Sequence, residues 1–295
     1  GLRKIRNFNK ETGEITVEAG CLLRDINEVL IDYGRQLRLL PSTWRSASVA
    51  GFIAGGSGGI GSVRWGFLRD PGHLKELEII TLEEAPKKLK LSADDSEALN
   101  HAYGTNGIIT ALTITTTPLV KWHEVVVDCL DWTQAVELLK KINCAALDLY
   151  LATLLEKEIV DSLPHSCGKP ENKHRILVLV SPDGVSTIRR LSKLSNADFY
   201  DLGPEDLSAG TGLRELSWNH TTLHMRSLNP NWTYLQMLLP QPELEMMQIL
   251  KSEWGDNLLW HIECVRQYGE QRMAALPVVN WQGEESMHEL ISRCK

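Results

Sequence analysis

Residues 49–62 run Val-Ala-Gly-Phe-Ile-Ala-Gly-Gly-Ser-Gly-Gly-Ile-Gly-Ser, with Trp65-Gly66 close behind. Glycine at this density costs backbone entropy and offers a core no side chain, so it belongs where the main chain must approach something closely. The tract spells two known patterns. Gly56-Ser57-Gly58-Gly59-Ile60-Gly61 is a G-x-G-x-x-G string, which receives a pyrophosphate only at a strand-to-helix turn. Gly55-Gly56-Ser57-Gly58-Gly59 is a G-x-S-x-G string, the nucleophile elbow, which needs the same flanks. Gly66 and Pro71 interrupt the chain before a crossover helix can form, so neither context is expected. Two readings remain: a cradle of successive backbone amides for an anion or planar cofactor, or a plain surface loop.

A chain of 295 residues is long enough for two medium domains, and the pattern changes near residue 120. Before that point, residues 15–19 alternate as a strand and Gly20 breaks it. Leu22, Leu23, Ile26, Val29 and Leu30 then follow helical spacing up to Gly34. Strands are expected at 37–40, 77–81 and 108–117. Beyond residue 121, Asp131 and Gln134 make a capping-box-like start to a helix through Ile142. Further helices are expected at 185–194 and 242–254. Strands are expected at 124–129, 146–151, 175–180, 197–202, 233–239, 258–263 and 273–279. The pattern is α+β, a helix-backed antiparallel sheet in its second half.

Composition removes several function classes. The net charge is −7 with no dense Lys/Arg stripe, which argues against a nucleic-acid groove. No apolar run approaches the roughly 18 residues of a membrane span. The six cysteines form no C-x-x-C pair, so neither a zinc nor a dithiol motif is supported, and a reducing compartment fits. With no signal peptide at the N-terminus, the chain is expected in the cytoplasm, and the sequons at Asn219 and Asn231 are expected to be bare.

Several segments in order resemble the FAD-linked oxidase family, with the vanillyl-alcohol-oxidase or PCMH-type FAD-binding fold. They are Val17-Glu18-Ala19-Gly20, then Pro41-Ser42-Thr43, then Ser48-Val49-Ala50-Gly51. The glycine stretch from Gly55 to Ser62 follows, with Trp65-Gly66, then Asp70 before the strand at Leu77. Gly104-Thr105-Asn106-Gly107-Ile108-Ile109-Thr110 comes last. The resemblance implies that FAD is the cofactor. It implies that Pro41, Ser42, Thr43, Ser48, Val49, Ala50, Gly51, Gly55, Gly56, Ser57, Gly58, Gly59, Ile60, Gly61 and Ser62 wrap pyrophosphate and flavin, mainly through backbone amides. It also implies that Gly104, Gly107, Ile108 and Ile109 meet the flavin or adenine side. Residues 1–120 would be a partial FAD-binding domain and 121–295 a substrate-cap domain. The family's Arg-Gly-Gly-Gly-like phosphate turn and its closing C-terminal segment have no counterpart here, so the sequence is read as a fragment.

Residues 218–226, with Trp232, Tyr234 and Gln236, form the densest polar-aromatic stretch. In a flavin enzyme the protein positions substrate and moves a proton. His220 as base, Arg226 facing a carboxylate and Tyr234 beside them would suit a small hydroxy acid or alcohol; a polar edge strand without a catalytic role is the alternative. Read as extended, the segment puts His220 and His224 about 13 Å apart, too far for one metal ion. The expected function is FAD-dependent oxidation of a CH–OH group on a small-molecule substrate. A non-catalytic scaffold binding a partner protein is the alternative.

Overall fold

The computed structural model describes residues 1–56, 58–164, 168, 170–208 and 210–295. Ser57, His165, Ser166, Cys167, Lys169 and Ala209 lie outside the described residues. The chain divides into two units, one of residues 1–121 with 266–270, the other of residues 122–265 with 271–295.

In the first unit, strict alternation makes a half-buried strand. Ile15 and Val17 are fully buried, while Glu14, Thr16 and Glu18 keep partial access to water. This strand, β2 (Glu14–Glu18), pairs back on β1 (Ile5–Asn9). Helix α1 (Leu23–Ile31) buries Leu23, Ile26 and Leu30 on one face. Its buried Asn27 accepts the Leu37 amide at 2.9 Å and so fixes β3 (Arg35–Leu37). Two short helices follow, α2 (Val49–Gly55) and α3 (Ser62–Trp65). Strands β4 (Leu74–Ile80), β5 (Lys88–Ser92) and β6 (Ile108–Pro118) complete an antiparallel sheet. Its order is β1-β2-β6-β4-β5, with β3 also on β6. The long β6 is therefore the spine of the unit.

The second unit contains β7 (His123–Cys129), α4 (Trp132–Cys144), β8 (Leu149–Leu155), α5 (Lys157–Val160), β9 (His174–Val180), α6 (Val185–Leu194) and β10 (Asp198–Pro204). It continues with α7 (Asn219–Leu228), β11 (Trp232–Tyr234), β12 (Met237–Leu238), α8 (Glu243–Trp254) and β13 (Leu258–Leu259). Strands β14 (His261–Gln267), β15 (Glu270–Ala275) and β16 (Val278–Asn280) and helix α9 (Glu284–Arg293) close the chain. The large sheet runs β10-β7-β9-β8-β14-β15-β12, and β11-β16-β13 form a small one. Asp131 caps α4 by accepting the Gln134 amide at 2.8 Å, and α4 and α6 pack on each other against β8, β9 and β10. Every residue of β8 and β9 is buried. The architecture is α+β.

Two expectations change. Residues 219–228 are helical, not extended. Threonine and aromatic content suggests a strand there, but Thr221, Thr222 and Met225 are buried at helical spacing, and that burial decides the conformation. Residues 49–55 also form a helix inside the glycine tract, begun by Ser48. Among the described residues no helix is long and apolar enough to cross a membrane, and no group of three or more metal-ligating side chains could hold an ion.

Candidate FAD site

Helix α2 starts at Ser48, whose Oγ accepts the Gly51 amide at 3.2 Å. The Val49 amide donates to Cys21 O at 2.9 Å and the Ala50 amide to Ala19 O at 3.2 Å. Further along, Gly56 donates to Phe52 O at 2.8 Å, Ile60 to Leu40 O at 2.8 Å and Ser62 to Gly59 O at 3.0 Å. Gly59 donates to Ser62 Oγ at 3.0 Å. The tract is expected to hold a cofactor mainly through backbone amides; at positions 49, 50, 51, 56, 59, 60 and 62 those amides have acceptors within the protein. The two short motifs also lack their context, because a helix rather than a strand precedes them and a single turn, α3, follows.

The glycines serve close approach instead. A Cβ on Gly59 would collide with the Leu40 carbonyl oxygen and come within 3.2 Å of Pro41 Cα. Gly66, at φ +81°, leaves room for Asp70, whose Oδ2 accepts the Phe67 and Tyr268 amides, each at 3.2 Å.

Between α2 and the start of β6 lies a cavity of about 260 Å³. Its walls are Ala50, Gly51 and Ala54 on the helix, Leu99, Ala102, Gly104 and Asn106 on the loop, and Gly107, Ile108 and Ile109 where β6 begins. The loop is fixed to the helix, since the His101 amide donates to Ile53 O at 2.9 Å and the Tyr103 amide to Ala54 O at 2.7 Å. Asn106, the one polar side chain on these walls, is committed to Ala98 O at 2.6 Å. A small-residue, carbon-faced slot suits a planar ring better than a charged phosphate.

Six of the expected cofactor residues, Ala50, Gly51, Gly104, Gly107, Ile108 and Ile109, surround this cavity. Pro41, Ser42, Thr43, Ser48, Val49, Gly55, Gly56, Gly58, Gly59, Ile60, Gly61 and Ser62 do not line it. Val49, Ile60 and Ser62 are instead buried in the unit's own core. Ser57 lies outside the described residues.

Residues 1–84 match the family model of an FAD binding domain. These 84 residues are an FAD-binding domain of the FAD-linked oxidase family. The cofactor of that domain is FAD. Two solved structures of alkyldihydroxyacetonephosphate synthase, from different crystal forms, share the fold of the whole chain. The TM-scores are 0.72 and 0.70, at 12% and 13% identity over 99% of this chain. The chain spans 62% and 60% of those two chains, and identity this low speaks for fold alone. No curated protein matches in sequence. The small, carbon-faced walls of the cavity in the unit that contains these residues fit a flat ring better than a charged group.

In the second unit, two of the expected catalytic residues, His220 and Arg226, do not share a face. His220 and Arg226 lie six positions apart on α7, which at 3.6 residues per turn sends their side chains out about 120° apart. In an extended segment they would have pointed the same way. His220 Nδ1 is 3.0 Å from Glu215 Oε2, and the Nε2 of His224 is 3.0 Å from Glu215 O. Arg226 and Tyr234 are exposed. None of them lines the second cavity, of about 630 Å³, which the sequence reading missed. Glu156, Lys157, His174, Lys251, Trp132 and Trp260 stand on its walls. Glu156 holds Lys251 at 2.7 Å and accepts the Trp260 amide at 2.7 Å, and burial pushes its carboxyl up. His174 accepts the Lys157 amide at Nδ1, 3.2 Å away. Burial, with Lys157 adding to it, lowers the His174 ring to about 4. A third buried cluster joins Glu263 to Thr153 at 2.6 Å, His261 at 2.7 Å and the Trp218 amide at 2.8 Å, tying down the start of α7. The second cavity draws on residues remote in sequence, so spacing gave no signal for it, whereas the His261–Glu263 pair of the third cluster is the spacing expected on one strand face.

Proposed function

We propose that this chain belongs to an FAD-dependent oxidoreductase that dehydrogenates a small hydroxy acid or alcohol in the cytoplasm. Residues 1–120 serve as the FAD-binding domain and residues 121–295 as the substrate cap. The reading is carried by the cavity of Ala50, Gly51, Ala54, Gly107 and Ile109 inside a unit whose first 84 residues match an FAD binding domain. The cytoplasmic location is supported by Cys21, Cys129, Cys144, Cys264 and Cys294, all free thiols.

FAD, when bound, supplies the two-electron acceptor chemistry. In this reading His220 takes the hydroxyl proton at Nε2, its Nδ1 being held by Glu215 at 3.0 Å. A carboxylate partner fixes the tautomer, which leaves the opposite nitrogen as the acceptor. Arg226 leaves α7 about 120° away from His220 and is therefore given no part in holding the same small substrate, while Tyr234 hydrogen-bonds the substrate oxygen.

The test is a visible spectrum of the full-length protein with FAD, then anaerobic addition of a panel of 2-hydroxy acids and alcohols. Flavin bands that survive gel filtration and bleach with substrate are the expected result, with His220→Gln slowing bleaching by about 100-fold. Bands that never appear would remove the cofactor role. A second reading follows from the shared fold with alkyldihydroxyacetonephosphate synthase, namely a synthase. In that case the panel of hydroxy acids and alcohols leaves the flavin bands unbleached.

A further inference from the structure

Arg38, the residue after β3, stands on the wall of a small cavity of about 30 Å³ within the first unit. Leu23, Leu37, Leu39, Phe52, Ile53 and Ile114 make most of that wall carbon, and His73 and Thr115 are its other polar residues. The guanidinium is only partly satisfied. Its Nη1 donates to Gly72 O at 3.2 Å, while its buried Nε has no hydrogen-bond partner. The hydroxyl of Thr115 is likewise buried and unpartnered. No acid answers the positive charge. Among the described residues Arg38 forms no ion pair, and the charge that bears on it is a second cation, Arg35. Arg35 is itself spent on Thr116, its Nε donating to Oγ1 at 2.6 Å and its Nη2 to the carbonyl at 3.1 Å. His73 supplies no counter-charge either. Its Nε2 donates to Trp65 O at 2.8 Å, and burial, with Arg38 adding to it, lowers the ring's pKa. A charge set against apolar walls is costly unless an opposite charge reaches it. A water molecule could satisfy the two idle donors but would leave the guanidinium unbalanced.

We propose that this cavity binds a small monovalent inorganic anion, chloride in ordinary salt, held by Arg38 Nε and the Thr115 hydroxyl. Size and chemistry narrow the class. About 30 Å³ admits a body of one or two waters' bulk, which suits a halide and excludes the four oxygens of phosphate or sulfate. A halide accepts from both donors, cancels the charge, and tolerates the carbon on its remaining sides. The site stands apart from the cofactor reading, because none of its wall residues lines the 260 Å³ cavity.

The experiment is the melting temperature of the full-length protein as sodium chloride replaces sodium gluconate at constant ionic strength. Gluconate is too large for the cavity, so screening is held fixed while the candidate ligand varies. Chloride is expected to raise the melting temperature by about 2–4 °C. Arg38→Met should abolish that rise, and in gluconate it should melt no lower than wild type, because it removes an unbalanced buried charge. Thr115→Val keeps the guanidinium and should shrink the chloride response without removing it. Crystals grown in bromide supply a readout that needs no variant, with an anomalous peak expected within hydrogen-bond reach of Arg38 Nε. Wild-type melting curves that coincide in chloride and gluconate overturn the proposal. A chloride response that survives Arg38→Met, or a bromide peak remote from Arg38, overturns it as well, since the ion would then bind elsewhere.

Discussion

Replacing Gly59 by alanine tests whether the glycine tract is shaped by contact with its own chain. The added Cβ would meet Leu40 O and C, the latter at 2.9 Å, with Pro41 Cα at 3.2 Å. All three are backbone atoms, so no rotamer change can relieve the clash. The strands must separate where Leu40 and Ile60 exchange hydrogen bonds of 3.0 and 2.8 Å. Two buried backbone hydrogen bonds at about 1 kcal/mol each, plus displacement of Pro41, give a loss of about 3 kcal/mol. Gly104→Ala is the control. It adds a methyl into open space and costs only the left-handed backbone, about 1 kcal/mol. Amide exchange on peptides covering residues 36–66 reports the event directly, because Leu40 and Ile60 should lose protection in Gly59→Ala while β7 to β10 keep theirs. Unchanged exchange at residues 40 and 60, or greater damage from Gly104→Ala, would refute the close-approach argument.

Three further outcomes follow from single sites. Ala54→Leu projects into the 260 Å³ cavity and should weaken FAD binding tenfold or more, on the order expected when bulk replaces space in a fitted pocket, with the melting temperature little changed. His174 has its folded pKa lowered from 6.5 to about 4. Its contribution to stability is therefore complete above pH 6.5 and is lost as pH falls from 6.5 towards 4. Discounted for the open pocket beside it, the loss is about 2 kcal/mol, and melting curves of His174→Gln should be flatter across that interval. Asp128 holds buried Arg175 in a two-point pair at 2.7 and 2.9 Å, so Asp128→Ala should cost about 3–5 kcal/mol by urea denaturation, while Asp128→Leu with Arg175→Met should cost less.

How far the sequence spoke varied with the kind of signal. Strand β2 was legible because Ile15 and Val17 alternate with polar neighbours, and α4 because Asp131 caps a clean apolar face. The strand expected at 146–151 begins later, as β8, since a run buried on both faces has no alternation to set its ends. Helix α7 was misread because its determinants, the burial of Thr221, Thr222 and Met225 and the Glu263 bond to the Trp218 amide, are tertiary. Of the ring-sized cavity, the Gly104–Ile109 side stood out as a motif, and Ala54, Leu99 and Ala102 did not, because nothing local marks an alanine as a wall. The cavity of Glu156, His174 and Lys251 joins three elements separated by long stretches of chain and leaves no trace in spacing.

The glycine tract shows how a motif that signals close approach can be met by the chain's own backbone. Glycine density announced that main chain must come close to something, and it does. Gly59 lies against Leu40 and Gly66 against Asp70, while at least seven amides of the tract are satisfied within the protein. A phosphate arriving there would have to displace bonds that already exist, each worth about 1 kcal/mol net and more if left broken. A flat ring asks for no such exchange. It needs only carbon surface and clearance, which Ala50, Gly51, Ala54 and Gly107 provide. The physical division of labour is thus between glycines that let the unit close on itself and small residues that leave a slot open.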